Sequence, residues 1–70
     1  MLLNKAKPGR VERIKAVTGN EKMCRFLFTL GFTEGEEITL VSKLAKNYIV
    51  CIKESRYAID QNMAESIELD

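Results

Sequence analysis

The segment from Asn20 to Val41, NEKMCRFLFTLGFTEGEEITLV, joins a helix to a strand with almost no loop between them. Asn20 is a residue type whose side chain accepts from the free N–H groups of a helix start, and Glu21 suits the positive end of the dipole. Gly31 stands where a left-handed residue ends a helix. Phe32, one residue on, is placed to pack back on Leu27, the contact of a Schellman stop. The pattern predicts a helix over about 20–30. Glu34-Gly35 then reads as a turn whose positive φ glycine takes freely. Alternation resumes at once in Glu37-Ile38-Thr39-Leu40. A helix is thereby held rigidly against a strand.

The rest of the chain reads as short strands joined by tight turns. Pro8-Gly9 is a turn signal, and Arg10 to Val17 gives a first strand. Its apolar positions Val11, Ile14 and Val17 do not alternate, so a bulge near Glu12-Arg13 is expected to bring them to one buried face. Beyond Gly35, Ile38, Leu40 and Leu44 form the inner set of a long strand, and Ala45-Lys46-Asn47 is a turn. Tyr48, Val50 and Ile52 line the next strand, with Ile49 and Cys51 opposite. Glu54-Ser55 turns the chain into Arg56-Tyr57-Ala58-Ile59. Asp60 caps a single helical turn near 61–65, packed through Met63 and Ala64, and Ser66 to Leu69 closes the chain as a strand. Strands at this spacing predict a mainly β fold, a small barrel of about five strands with one inserted α-helix.

Seventy residues form one domain, 1–70, with a thin core. Two cysteines 27 positions apart are no disulfide scaffold and read as free thiols in a reducing cytosol. No run approaches the roughly 18 apolar residues of a membrane span, and no signal-peptide core precedes the domain. Met1 reads as a native start, and the expected location is cytoplasmic. Net charge is +1, but residues 1–22 carry six bases against two acids, and residues 54–70 one base against five acids. In a small barrel the first and last strands usually adjoin, so these sets are expected to compensate each other in part.

Catalytic chemistry is scarce. With no histidine, the usual neutral-pH acid–base group and the commonest metal ligand are both missing. Cys24 and Cys51 lack CxxC-like spacing, and Glu34, Glu36 and Glu37 form an acidic turn of the kind usually solvated. Gly31-x-x-x-Gly35 lacks the Lys-Ser/Thr of a phosphate loop. Ser42, Ser55 and Ser66 have no base partner in sequence. Neither an enzyme, a cofactor nor a metal site is expected.

Against this background, Leu27-x-x-Leu30-Gly31-Phe32-x-x-Gly35-x-x-Ile38-x-Leu40 resembles the signature of FeoA proteins, small components of bacterial ferrous-iron transport. Leu3 and Pro8-Gly9 resemble the family's opening turn, Arg10 to Val17 its first strand, and Tyr57-Ala58-Ile59 with Ala64, Ile67 and Leu69 its close. Glu34 departs from the proline common before the second glycine, and Lys46-Asn47 from the usual turn. The resemblance implies an SH3-like barrel. It also implies a non-enzymatic accessory that acts with the membrane transporter FeoB and its cytoplasmic GTPase domain. FeoA-like modules also close metalloregulators of the diphtheria-toxin-repressor type, but the 70 residues hold no helix-turn-helix.

Phe28 points away from the stripe of Met23, Leu27 and Leu30 by more than a right angle at about 100° per residue. It is the chief surface anomaly. The candidate partner-binding residues are Arg25, Phe28, Thr29 and Phe32, with Tyr48 and Tyr57 as secondary ones, since aromatics and arginine anchor interfaces. The rival for Phe32 is burial as the helix stop, and for the tyrosines a place in the barrel wall. A nucleic-acid reading would use Lys5, Lys7, Arg10, Arg13 and Lys15; near-neutral charge and the lack of a stacking platform oppose it. Capture of proline-rich peptides lacks the aromatic groove it requires. An exposed aromatic or an edge strand can also support a homo-oligomer.

Overall fold

A computed structural model describes all residues, Met1–Asp70. A single 3-10 turn, Leu3–Lys5, precedes strand β1 (Val11–Val17), helix α1 (Glu21–Leu30), strands β2 (Glu37–Leu44), β3 (Asn47–Ile52) and β4 (Ser55–Asp60), the short helix α2 (Gln61–Glu65) and strand β5 (Ile67–Leu69). The strands form one antiparallel sheet in the order β4-β3-β2-β1-β5. Its two edge strands are joined through α2. The architecture is the expected small barrel with a helix inserted after the first strand.

Both helix ends follow from local chemistry. The Met23 N–H donates to Asn20 Oδ1 at 2.7 Å. At the other end Gly31 has φ 101°, its N–H reaches the Phe28 carbonyl, and the Phe32 N–H reaches the Leu27 carbonyl, each at 3.0 Å. Those two bonds are the Schellman pair. Leu27 and Phe32 are fully buried, so the stop is also a core contact. Thr33 to Glu36 then form a turn with Gly35 at φ 89°, closed by the Glu36 N–H on the Thr33 carbonyl at 3.1 Å. Positive φ at its third position makes this a type II turn. The turn docks on β1 at once: Gly35 N–H donates to the Ile14 carbonyl at 2.8 Å, and Ile14 N–H to the Glu36 carbonyl at 2.9 Å.

Two bulges place side chains that strict alternation misplaces. In β1 the irregularity lies between Ile14 and Ala16, not at Glu12-Arg13. The extra residue, Lys15, puts Ile14 opposite Leu69 and Val17 opposite Ile67, so both face the core. Val11 stays opposite Thr39 on the outer face and is 63% exposed, against expectation. In β2 a second irregularity at Val41 sets Lys43 opposite Tyr48 and Leu44 opposite Asn47. Lys43 thus covers the buried tyrosine ring, 5.7 Å from its centroid, and Leu44 is 61% exposed rather than inner. A register change of one residue moves a side chain to the opposite face.

The core comprises fourteen buried residues, among them Ile38, Leu40, Val50, Ile52 and Ile59 from the sheet. The expected inner set Tyr48, Val50 and Ile52 is buried. Leu3 and Ala6 also belong to it, a contribution from the N-terminal turn that no strand or helix pattern reveals. Asp60 caps α2 as expected, its Oδ1 accepting from Met63 N–H at 2.8 Å. Charge compensation between the chain ends is also present. β1 lies beside β5, with Lys15 Nζ 3.7 Å from Glu68.

The β3–β4 loop is Lys53-Glu54, one residue earlier than expected, closed by the Ile52–Ser55 pair. Both loop residues hold positive φ, 49° and 66°, as a type I′ turn requires. Side chains there cost on the order of 1 kcal/mol that glycine avoids. Glu54→Gly is therefore expected to stabilise the domain by about 0.5–1 kcal/mol, a rise of a few degrees in Tm measured by calorimetry. Gly31→Ala should have the opposite sign and cost about 1–2 kcal/mol, because the left-handed cap admits no Cβ without strain.

Candidate interaction surface

Helical phase decides which of the candidate residues reach solvent. Arg25, Phe28 and Thr29 are spaced i, i+3, i+4 and lie on the solvent face of α1, all exposed. Phe28 is 68% exposed. Arg25 forms an ion pair with Glu21 one turn earlier, and the Thr29 hydroxyl donates to the Phe26 carbonyl at 2.6 Å. Surface pairs of that kind contribute little stability, so the arginine remains available.

Phe32 and the tyrosines are placed differently. Phe32 is 1% exposed and is the largest fully buried side chain, so it supports the surface from beneath instead of presenting a face. Its ring meets that of Tyr57, centroids 5.8 Å apart at 54°. Tyr57 is half-buried and joins this region through that contact. Tyr48 is buried under Lys43 at the opposite end of β3 and does not join it. Its position is set by the register of β3, which only sheet pairing establishes.

Phe28 overhangs a shallow groove between α1 and the second half of β1. Ala16, Val17, Cys24, Phe32, Thr33 and Glu34 complete the lining. The strand residues escape sequence reasoning because the Lys15 bulge, not alternation, orients them. The Cys24 thiol lies 3.9 Å from the carbonyls of Val17 and Gly19, a weak contact at most. Glu34, at i+1 of the type II turn, is the groove's one charged residue. On the other flank Phe26, 49% exposed, forms a second shallow apolar groove with Met23 and Met63.

Three of the five bases considered for nucleic acid are occupied. Arg10 pairs with Glu12 at 3.8 Å, Arg13 with Glu37 at 3.4 Å, and Lys15 with Glu68. No group of three or more Cys, Asp or Glu side chains stands close enough to hold a metal ion, and no helix is long and apolar enough to cross a membrane.

A family model described as the FeoA domain matches residues 1–70. No curated protein matches the chain. Similar solved structures include iron(II) transport protein A from Clostridium thermocellum, 26% identical at a TM-score of 0.93, covering 100% of this chain and 44% of that one. The chain thus spans under half of that relative's length. FeoA from Stenotrophomonas maltophilia, solved in complex with zinc, is 25% identical at a TM-score of 0.88, covering 100% of this chain and 89% of that one. An iron uptake regulatory protein, also FeoA, shares the fold at 20% identity and a TM-score of 0.89, covering 99% and 93% respectively. The Stenotrophomonas protein is described as a prokaryotic SH3 domain, and the barrel described above is likewise SH3-like.

Burial separates structural from surface roles here. Leu27→Ala is expected to lower stability by about 2–5 kcal/mol through lost core packing. Phe28→Ala, its neighbour, should change it by less than about 0.5 kcal/mol. Urea unfolding of the two variants measures both.

Proposed function

Since the chain belongs to the FeoA domain family over its whole length, we propose that it is a non-enzymatic accessory of bacterial ferrous-iron uptake. In this reading it works in the cytoplasm by docking on the cytoplasmic region of the transporter FeoB. Support for iron transport comes from its relatives: one is an iron(II) transport protein, and another is described as a candidate activating factor for ferrous-iron transport. The observation that carries the docking surface is Phe28, 68% exposed on a helix fixed at both ends.

A preformed helix loses little conformational entropy on association. Phe28 supplies apolar area over the groove, and Arg25 and Thr29 supply polar contacts beside it. Phe32 and Tyr57 hold the helix exit in place from behind. Rigid presentation of a central aromatic with an arginine beside it matches the anatomy of interface hot spots.

The test is binding of the purified domain to the cytoplasmic region of the transporter. Phe28→Ala is expected to weaken it by more than about tenfold, as loss of a hot-spot aromatic does. Its melting temperature should stay that of the parent. Unchanged affinity would remove Phe28 from the contact, and a failure of the parent domain to bind would remove the partner.

A further inference from the structure

We propose that the barrel end formed by the β2–β3 hairpin tip and the loop preceding β1 docks on an anionic lipid bilayer, with Leu44 entering the headgroup layer. Lys5, Lys7, Lys43 and Lys46 are all exposed, and none takes part in an ion pair, whereas Arg10, Arg13, Lys15, Arg25 and Lys53 do. The four are brought together by tertiary contacts. Lys43 Nζ donates to the Asn4 carbonyl at 2.9 Å, tying the hairpin to the turn that carries Lys5. Gly9 N–H donates to the Leu40 carbonyl at 2.8 Å, laying the loop of Lys7 along β2. Lys46 shares a shallow pocket with Asp60, whose carboxylate caps α2 and forms no ion pair with it.

Leu44 lies between Lys43 and Lys46 along the hairpin, 61% exposed and turned outward by the bulge at Val41. Nothing inside the barrel covers it. A leucine at a hairpin apex flanked by Lys43 and Lys46 is the pattern of peripheral membrane contact, in which basic heads meet lipid phosphates and an apolar side chain enters the interface. A nucleic acid would satisfy the lysines and give Leu44 no role.

The position of this face also fits a membrane-side task. β3 begins at the hairpin tip and ends at Ile52, and the next residue, Lys53, lies against Gly31 at the helix exit. At about 3.3 Å per residue the two ends are some 17 Å apart along the strand. A domain seated on its lysine end would leave Phe28 free for another protein. The inference does not need the transporter reading, because lipid alone tests it.

The experiment is co-sedimentation with sucrose-loaded vesicles of phosphatidylcholine, with or without phosphatidylglycerol. At low salt the domain is expected to sediment with the anionic vesicles and not with the neutral ones, and to be released as salt screens the lysines. Combined Lys5→Gln, Lys7→Gln and Lys46→Gln should weaken binding by about a hundredfold, at about fivefold per charge. Leu44→Ser should weaken it by about tenfold. Arg56→Gln, an exposed base on β4 outside this face, should leave it unchanged. All substituted side chains are exposed, and matched thermal melts confirm that the variants remain folded. Absence of sedimentation with anionic vesicles at low salt overturns the proposal, as does binding indifferent to Leu44→Ser or to the lysine substitutions. Binding of duplex DNA through the same lysines, without vesicle binding, also overturns it and assigns the face to nucleic acid.

Discussion

Where α1 ends, a hydrogen bond, a left-handed glycine and a buried ring act together. The Phe32 N–H donates to the Leu27 carbonyl, while the Phe32 ring and the Leu27 side chain both enter the core. Terminating the helix and packing the barrel are therefore one event. Three residues later the Gly35 turn bonds both ways to Ile14, so the same stretch fixes the helix to β1 as well. The orientation of α1, and of every residue on its solvent face, depends on this junction. A small barrel with a thin core gains rigidity by such shared use of side chains.

That rigidity gives the outer helix face its meaning. An aromatic on a mobile loop loses entropy when it docks; Phe28, on a helix clamped at Asn20 and Gly31, loses little. Charge is distributed with similar economy. β1 lies against β5 and β2, so Arg13 and Lys15 find Glu37 and Glu68 across the strands. Isolated pairs of this kind stabilise weakly, but they neutralise the strand that looks most basic in the linear sequence. Of the six bases left without an ion pair, Lys5, Lys7, Lys43 and Lys46 lie on the β2–β3 hairpin and the N-terminal segment, while Lys22 on α1 and Arg56 on β4 stand apart from them.

Elements governed by neighbours within five residues were legible. The cap at Asn20, the stop at Gly31-Phe32, the Gly35 turn and the Asp60 cap depend on hydrogen bonds that close over three to five residues, and all lie where their residue types require. The inner row Tyr48, Val50 and Ile52 was legible too, because β3 runs without a bulge. Val11 and Leu44 were not. Each sits in a strand with an irregularity set by pairing across the sheet, and one extra residue reverses which neighbours face inward. Leu3 and Ala6 escaped for another reason: a single 3-10 turn has no periodicity to betray its buried side.

The candidate surface divides along the same line. Helical phase alone places Phe28 opposite the Leu27 stripe, and its exposure follows from rotation about one axis. Whether Phe32 faces solvent or core, whether Tyr57 lies beside it, and that Tyr48 lies at the far end of β3 are settled by packing between segments distant in sequence. The grouping of Lys5, Lys7, Lys43 and Lys46 is of that kind as well, since it needs the Asn4–Lys43 contact. Local hydrogen bonding and side-chain geometry are written residue by residue. Burial and charge neighbourhoods arise only when the sheet rolls up, because they depend on which strands become adjacent and in what register.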